Sequence, residues 1–205
     1  PETPAMPLAY KKGKITVDGG MATLNVPDTF KYLNSGDAKK VLVDAWGNPP
    51  DAAEGVLGML VPAKIDPLSK DGWAMIITYD EDGYVKDDEA EKIDYNKLLK
   101  EMQESTAAES KERVSEGYGS MQLVGWAAPP RYDKATHKLY WAKELKFGDS
   151  EENTLNYDIR ALGRRGVLVI KAVAGKSQLA QVETEIPKVL SFVEFNEGHR
   201  YSDYT

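Results

Sequence analysis

The chain has 205 residues, enough for one ordinary domain with a well-buried core. Hydrophobic residues make up 41% and charged residues 29%, a globular balance, while the net charge of −7 argues against a nucleic-acid partner and against attraction to anionic lipid headgroups. There is no cysteine, and the two histidines, His137 and His199, lie far apart, so disulfides, zinc–thiolate sites, iron–sulfur clusters and cysteine nucleophiles are excluded and a multi-histidine metal site is disfavoured.

Residues 1–7 are proline-rich and read as extended. Ile15-Thr16-Val17 and residues 21–26 flank Asp18-Gly19-Gly20, and two β-prone runs around Asp-Gly predict a hairpin. Val26-Pro27-Asp28 is a turn, followed by a short strand over residues 30–33. From Ser35 to about Trp46, the apolar residues Ala38, Val41, Leu42 and Ala45 recur at helical spacing, and Gly47-Asn48-Pro49-Pro50 stops the helix. Residues 57–61 and 73–79 are strand-like, joined by a loop with Pro62, Pro67 and Gly72. Asp94 is the N-cap of the longest helix, which runs to about Glu116. Its predicted inner stripe is Tyr95, Leu98, Leu99, Met102, Thr106 and Val114, and the rest is a charged, solvated face ended by Gly117 and Gly119.

Four strands follow, over residues 121–131, 138–147, 153–162 and 166–174. Their short connections force antiparallel neighbours. In the third, Leu155, Tyr157, Ile159 and Ala161 alternate with Asn156, Asp158 and Arg160. The fourth is apolar on both faces (Val167, Val169, Val173 against Leu168, Ile170, Ala172), which predicts cover on both sides. A last helix starts at Ser177 with Leu179, Val182, Ile186, Val189 and Leu190 inward, and Pro187 should kink or split it. Phe192 and Phe195 add a short closing strand. Beyond Phe195 apolar periodicity ends and Gly198 breaks any strand, so residues 196–205 are expected to leave the core as a tail, with 1–195 a single domain. No apolar run approaches the roughly 18–20 residues of a membrane-spanning helix.

Each candidate site has a plain structural reading beside the functional one. Residues 78–89 align with a calcium loop at Asp80, Asp82, Gly83 and Glu89, but Thr78 stands where the first carboxylate belongs and a strand precedes it, so an acidic turn is the better reading. Asp133 and His137 flank a hairpin turn; they could form a base and its orienter, but no nucleophile motif joins them, and Asp133 reads more simply as a turn residue. Leu162-Gly163-Arg164-Arg165-Gly166 could cradle an anion through Arg164, or be a tight hairpin whose glycines take positive φ. Asn156, Asp158 and Arg160 form a polar face beside a strand covered on both sides. Either they pair with one another or with Glu144 and Lys146 across the ladder, or they line a cleft for a polar ligand. Trp46, Trp73, Trp126 and Trp141 read as core anchors, and Trp126 beside Pro129-Pro130 could line a peptide groove.

The residues Gly83-Tyr84-Val85-Lys86-Asp87-Asp88, Gly125-Trp126, Pro129-Pro130-Arg131-Tyr132-Asp133, Thr136-His137, Trp141-Ala142, Asn156-Tyr157, Arg160 and Leu162-Gly163-Arg164 carry a resemblance. Over residues 21–204 the chain resembles the domain of unknown function 2167 family, predicted membrane-anchored bacterial envelope proteins. The resemblance implies an exported protein with a cleaved signal and an anchor after the domain, both removed here, where the chain starts at Pro1. The opening Val26-Pro27-Asp28-Thr29-Phe30 and the closing helix into Ser191-Phe192-Val193-Glu194-Phe195 also resemble the layout of Mog1/PsbP-like domains.

The expected architecture is α+β, a mostly antiparallel sheet with helices packed on both faces. The expected role is a non-catalytic binding or scaffolding module of the cell envelope, without cofactor or metal, engaging an envelope protein or small polar ligand and reaching the membrane only through the removed anchor. A carboxylate-based hydrolase acting on an envelope saccharide or peptide is the alternative.

Overall fold

A computed structural model describes residues 7–69 and 72–205, so the extended reading of residues 1–6 lies outside the described residues. The chain opens with β1 (Gly13–Val17) and β2 (Ala22–Val26), the predicted hairpin. Then come β3 (Phe30–Asn34), α1 (Ser35–Lys39) continuing as a π-helical turn Lys40–Ala45, β4 (Gly58–Pro62) and β5 (Ala74–Asp80). Short α2 (Asp87–Glu91) precedes α3 (Tyr95–Ser115), which Asp94 caps by accepting from the Asn96 and Lys97 amides at 3.1 Å. The predicted run of four strands is β6 (Met121–Asp133), β7 (Lys138–Phe147), β8 (Thr154–Leu162) and β9 (Val167–Gly175). It is followed by α4 (Leu179–Phe192) and β10 (Val193–Phe195).

The strands form two antiparallel sheets, one of seven strands in the order β3-β4-β5-β9-β8-β7-β6 and one of three in the order β1-β2-β10. The small sheet and α4 pack on one face of the large sheet. Between them lies the main core, with Trp73, Tyr157, Phe30, Leu24 and Leu168 fully buried. Burying each Leu-sized side chain there contributes about 1.5–3 kcal/mol before chain entropy is subtracted. The architecture is the expected α+β arrangement with helices on both faces.

The second face is covered in three patches. α1 and its π-turn lay Ala38, Val41 and Leu42 on Leu33, Met59 and Val61. α3 lies along β6, where Gln103 Nε2 donates to the Leu123 carbonyl and Ser110 Oγ accepts from the Met121 amide. Tyr84, Tyr132 and Tyr201 cover Leu162, Val167 and Val169. None of these reaches Lys171 or Val173, and Val173 is 41% exposed. The two-sided cover expected of the fourth strand therefore stops at Ile170.

Four other expectations need correction. Pro187 does not split α4, because Val182 and Ile186 on one side of it and Val189 and Phe192 on the other are all held in the core. Val114 is exposed, because in the last turns of α3 it is Ser110 and Arg113 that face the sheet, at Met121 and Phe147. Trp73 and Trp141 are buried anchors, whereas Trp46 and Trp126 are half-buried. Residues 196–205 do not leave the core. Asn196 donates to the Gly20 carbonyl at 2.7 Å, the Arg164 amide donates to the His199 carbonyl at 3.0 Å, and Arg200 bridges Gly163. Tyr201 is 8% exposed and Tyr84 lies between it and Tyr204, with ring centroids 4.6 and 3.8 Å away. The ring that fixes the tail finds its partners more than thirty residues upstream, where local periodicity carries no signal.

If the tail is part of the fold, Tyr201→Ala removes a buried aromatic ring and should cost about 3–5 kcal/mol. Urea unfolding measures this. A loss below about 1 kcal/mol would return the segment to the status of a frayed terminus.

Candidate functional site

Register decides what faces what on the second face. Trp141 is paired with Asp158, Lys143 with Asn156, and Asp158 with Lys171 on its other side. Directly opposed residues point to the same side of a sheet. Trp141, Lys143, Asn156, Asp158, Arg160 and Lys171 thus share one surface, joined by Trp126 opposite Lys143 and by Ile76 opposite Lys171. Glu144 and Lys146 point to the other side and cannot pair with Asp158 or Arg160, and Glu144 instead meets Lys176 at 2.6 Å.

Asp158 is 5% exposed, one of the few buried charged groups among the described residues. Arg160 Nε donates to its Oδ1 at 3.2 Å, and the guanidinium carbon lies 4.9 Å from the Trp141 ring centre. Trp126 meets Trp141 edge-on at 6.4 Å. Two carboxylates, Asp158 on the sheet and Glu109 on α3, therefore act on a group of three cations, Arg160, Lys143 and Lys171. Burial holds the Lys143 ammonium below the ordinary lysine range; Asp158 and Glu109 oppose that shift, while Lys171 and Arg160 add to it. The Asn156 Oδ1 and the Trp126 and Trp141 Nε1 atoms are buried with no hydrogen-bond partner among the described residues. The result is a strip with surplus positive charge and unspent donors, floored by β7, β8 and β9, with α3 on one flank. Beyond Val173 it continues into a pocket of about 600 Å³ beside Trp46 and Ile76.

The other three predicted residues lie elsewhere. Asp133 accepts from the Ala135 amide at 2.9 Å, the predicted turn role, and hydrogen bonds from Thr136 and Ala135 hold its carboxyl below the usual range. His137 does not pair with it. Its ring lies 4.3 Å from that of Tyr201, and its Nδ1 is 3.3 Å from the Tyr132 hydroxyl and 3.9 Å from Asp87 Oδ2. The Tyr132 hydroxyl also donates to Asp87 at 3.3 Å, and the Asp87 amide donates to the Tyr201 hydroxyl at 2.9 Å. Burial first, and then Asp87, push the Tyr132 phenol well above its usual range, so its hydroxyl stays a donor, and the cluster acts as a clamp on the tail. Arg164 belongs to the same clamp, donating to the Gly198 carbonyl at 3.2 Å. Gly163 and Gly166 are not positive-φ turn glycines. A side chain at Gly163 would strike the Phe195 ring at 2.6 Å, and one at Gly166 the Asp80 carbonyl at 2.3 Å, so close approach is what requires them. Asp80 ends β5 and the acidic residues 81–82 begin an open loop after it, and among the described residues no group of three metal-ligating side chains converges.

Lys143 and Lys171 are the members of the strip that sequence reasoning missed. They lie on neighbouring strands, and only the β7–β8–β9 register brings them to Asp158.

The family model for the protein of unknown function DUF2167 matches residues 9–205. This chain belongs to that family. No curated protein matches it. Among solved structures, it is similar to cyanobacterial PsbP (CyanoP) from Synechocystis sp. PCC 6803, at 10% identity and a TM-score of 0.48, over 96% of this chain and 98% of that one. It is also similar to the Saccharomyces cerevisiae Ran-binding protein Mog1p, at 13% identity and a TM-score of 0.43, over 97% and 100%.

Two stability effects follow from the strip. Arg160→Ala strands the Asp158 carboxylate and should cost about 2–4 kcal/mol by urea unfolding, below the roughly 3–5 of a fully enclosed pair, because the arginine side chain is 30% exposed. A change under about 1 kcal/mol would mean that water already solvates Asp158. Lys143→Met should be neutral or stabilising at neutral pH. The folded chain gives up the Lys143 proton at lower pH than the unfolded chain does. Wild-type stability therefore gains from Lys143 as pH climbs from the depressed folded value towards the ordinary lysine value near about 10.4. The melting-temperature advantage of Lys143→Met should shrink over that window, and an offset independent of pH would contradict it.

Proposed function

We propose that this chain is a non-catalytic binding or scaffolding module of the bacterial cell envelope, and that it recognises an anionic group on its partner through the strip around Asp158. The observation that carries this reading is a local excess of Arg160, Lys143 and Lys171 over Asp158 and the flanking Glu109 on a partly open sheet face of a chain whose net charge is −7. Positive groups concentrated against the sign of the whole molecule cost self-energy, and an anionic partner recovers it. Asp158 fixes the Arg160 guanidinium, and Lys171 is exposed at the outer end. A carboxylate or phosphate entering over β9 meets preorganised donors. An extended polyanion such as nucleic acid would meet the acidic remainder of the surface as well.

The envelope assignment rests on the resemblance to membrane-anchored proteins. In this reading residues 196–205, clamped by Tyr84 and Tyr201, lead from the domain towards an anchor. The alternative of a carboxylate hydrolase calls for two carboxylates facing each other across a cleft. Asp158 faces cations instead, and its Oδ1 is engaged by Arg160.

Trp126 and Trp141 border the strip, so their fluorescence reports occupancy. Titration with inorganic phosphate and with a triglutamate peptide should give a saturable change for at least one probe. Binding should weaken at least about tenfold in Lys171→Glu, an exposed position, and fall with rising salt. No response to either probe, or equal binding by Lys171→Glu, would remove the anion-recognition reading. Fractionation of cells making the full-length product should find it with membranes, and a wholly cytosolic product would remove the envelope reading.

A further inference from the structure

The opposite face of the sheet carries a separate feature. A pocket of about 440 Å³ opens between α4 and strands β6 to β8, lined by Arg131, Tyr140, Tyr157 and Glu183, with Pro129 and Ile186 as apolar walls. Its volume is in the range of small-molecule sites. Three observations point to a ligand. Tyr157 is 1% exposed, yet its hydroxyl has no hydrogen-bond partner among the described residues. Buried hydroxyls are almost always paired, and one left unpaired on a residue that lines a pocket calls for a partner from outside the chain. Burial first, and then the Glu183 charge, raise the Tyr157 phenol, so it keeps its proton at neutral pH. Pro187 has no N–H to offer, so the Glu183 carbonyl four residues earlier loses its helical donor. Finally, Arg131 and Glu183 form no ion pair among the described residues, although both line this one pocket.

The two charges lie at different ends. Lys138 Nζ donates to the Leu190 and Val193 carbonyls and so fixes the end of α4 beside the start of β7. Arg131 and Tyr140 are paired near that same end of β7. Glu183 is two turns back along α4, about 10 Å of helical rise from Leu190, at the level where its charge acts on Tyr157.

We propose that this pocket binds a small zwitterion of amino-acid or dipeptide size. Arg131 takes the carboxylate. Glu183, its free carbonyl and the Tyr157 oxygen take the ammonium. Tyr140, Pro129 and Ile186 enclose the apolar body.

Dialanine, N-acetyl-dialanine and dialanine amide are the probes, titrated calorimetrically into the whole chain. Dialanine should bind saturably and each blocked form at least about tenfold more weakly. Glu183→Gln should lose discrimination against the acetylated form, and Arg131→Gln against the amide; both positions are exposed, so folding is not at issue. Tyr157→Phe should bind dialanine several-fold more weakly while its melting temperature without probe holds or rises, since the deleted hydroxyl pairs with nothing among the described residues. Lys171→Glu, exposed on the other face, should leave dialanine binding unchanged, which separates this pocket from the anion strip. Absence of binding up to about 10 mM, equal affinity for the three probes, or a Tyr157→Phe chain that melts lower and binds as before would each overturn the proposal.

Discussion

The pairing of β5 with β9 is the joint on which the rest of the molecule depends. Seven rungs, from Ala74 opposite Val173 to Asp80 opposite Val167, connect the β3–β4–β5 meander to the β6–β9 meander. Each meander can form from neighbours in sequence, but this joint closes a loop of nearly one hundred residues. Such long-range pairing pays its ordering entropy before its contacts reward it. It is also what makes β9 a central strand, and a central strand must be apolar where both its faces are covered. Val167–Ile170 satisfy that demand, and Lys171 and Val173 mark where the cover stops.

The two faces of the large sheet solve the burial problem differently. One is closed by a single continuous layer. α4 and the three-stranded sheet bury Tyr157, Ile159, Leu168 and Ile170 in one core. The other is closed by three unconnected patches: α1 with its π-turn, α3, and the tyrosines around Tyr201. Patches leave gaps, and the gap here is floored by charged side chains. Their burial is tolerable because Asp158 and Arg160 neutralise each other, with the guanidinium resting on Trp141. Among the described residues Lys143 has no partner within ion-pair distance, and burial lowers the pKa of its ammonium.

The C-terminal segment belongs to the same arrangement. Tyr201 roofs Val167 and Val169, and its hydroxyl accepts from Asp87 at the start of α2. Tyr132 and His137, from the β6–β7 hairpin, close the other side. The tail, the loop after β5 and that hairpin are thus one cooperative unit. His137 holds φ of 56°, uncommon for a residue with a side chain, and its tilted ring contact with Tyr201 and its contact with Tyr132 offset that strain.

What the sequence determined by itself was everything with a local cause. The Asp18-Gly19-Gly20 hairpin, the Asp94 cap, the stop at Gly47 and the antiparallel run from β6 to β9 follow from turn chemistry and side-chain period, which act over a few residues. Asn156, Asp158 and Arg160 were legible as one face because alternation along a strand is strict. Their partners were not. Whether Trp141 and Lys143 or Glu144 and Lys146 share that face depends on register, and shifting by one residue exchanges every neighbour. The same limit hid the docking of Tyr201, the ring-filled space that requires Gly163, and the pocket where α4 meets Tyr157, since each joins segments far apart in the chain. Tertiary structure decided these because contact between distant segments is set by how the sheet closes, and no period in either segment records it.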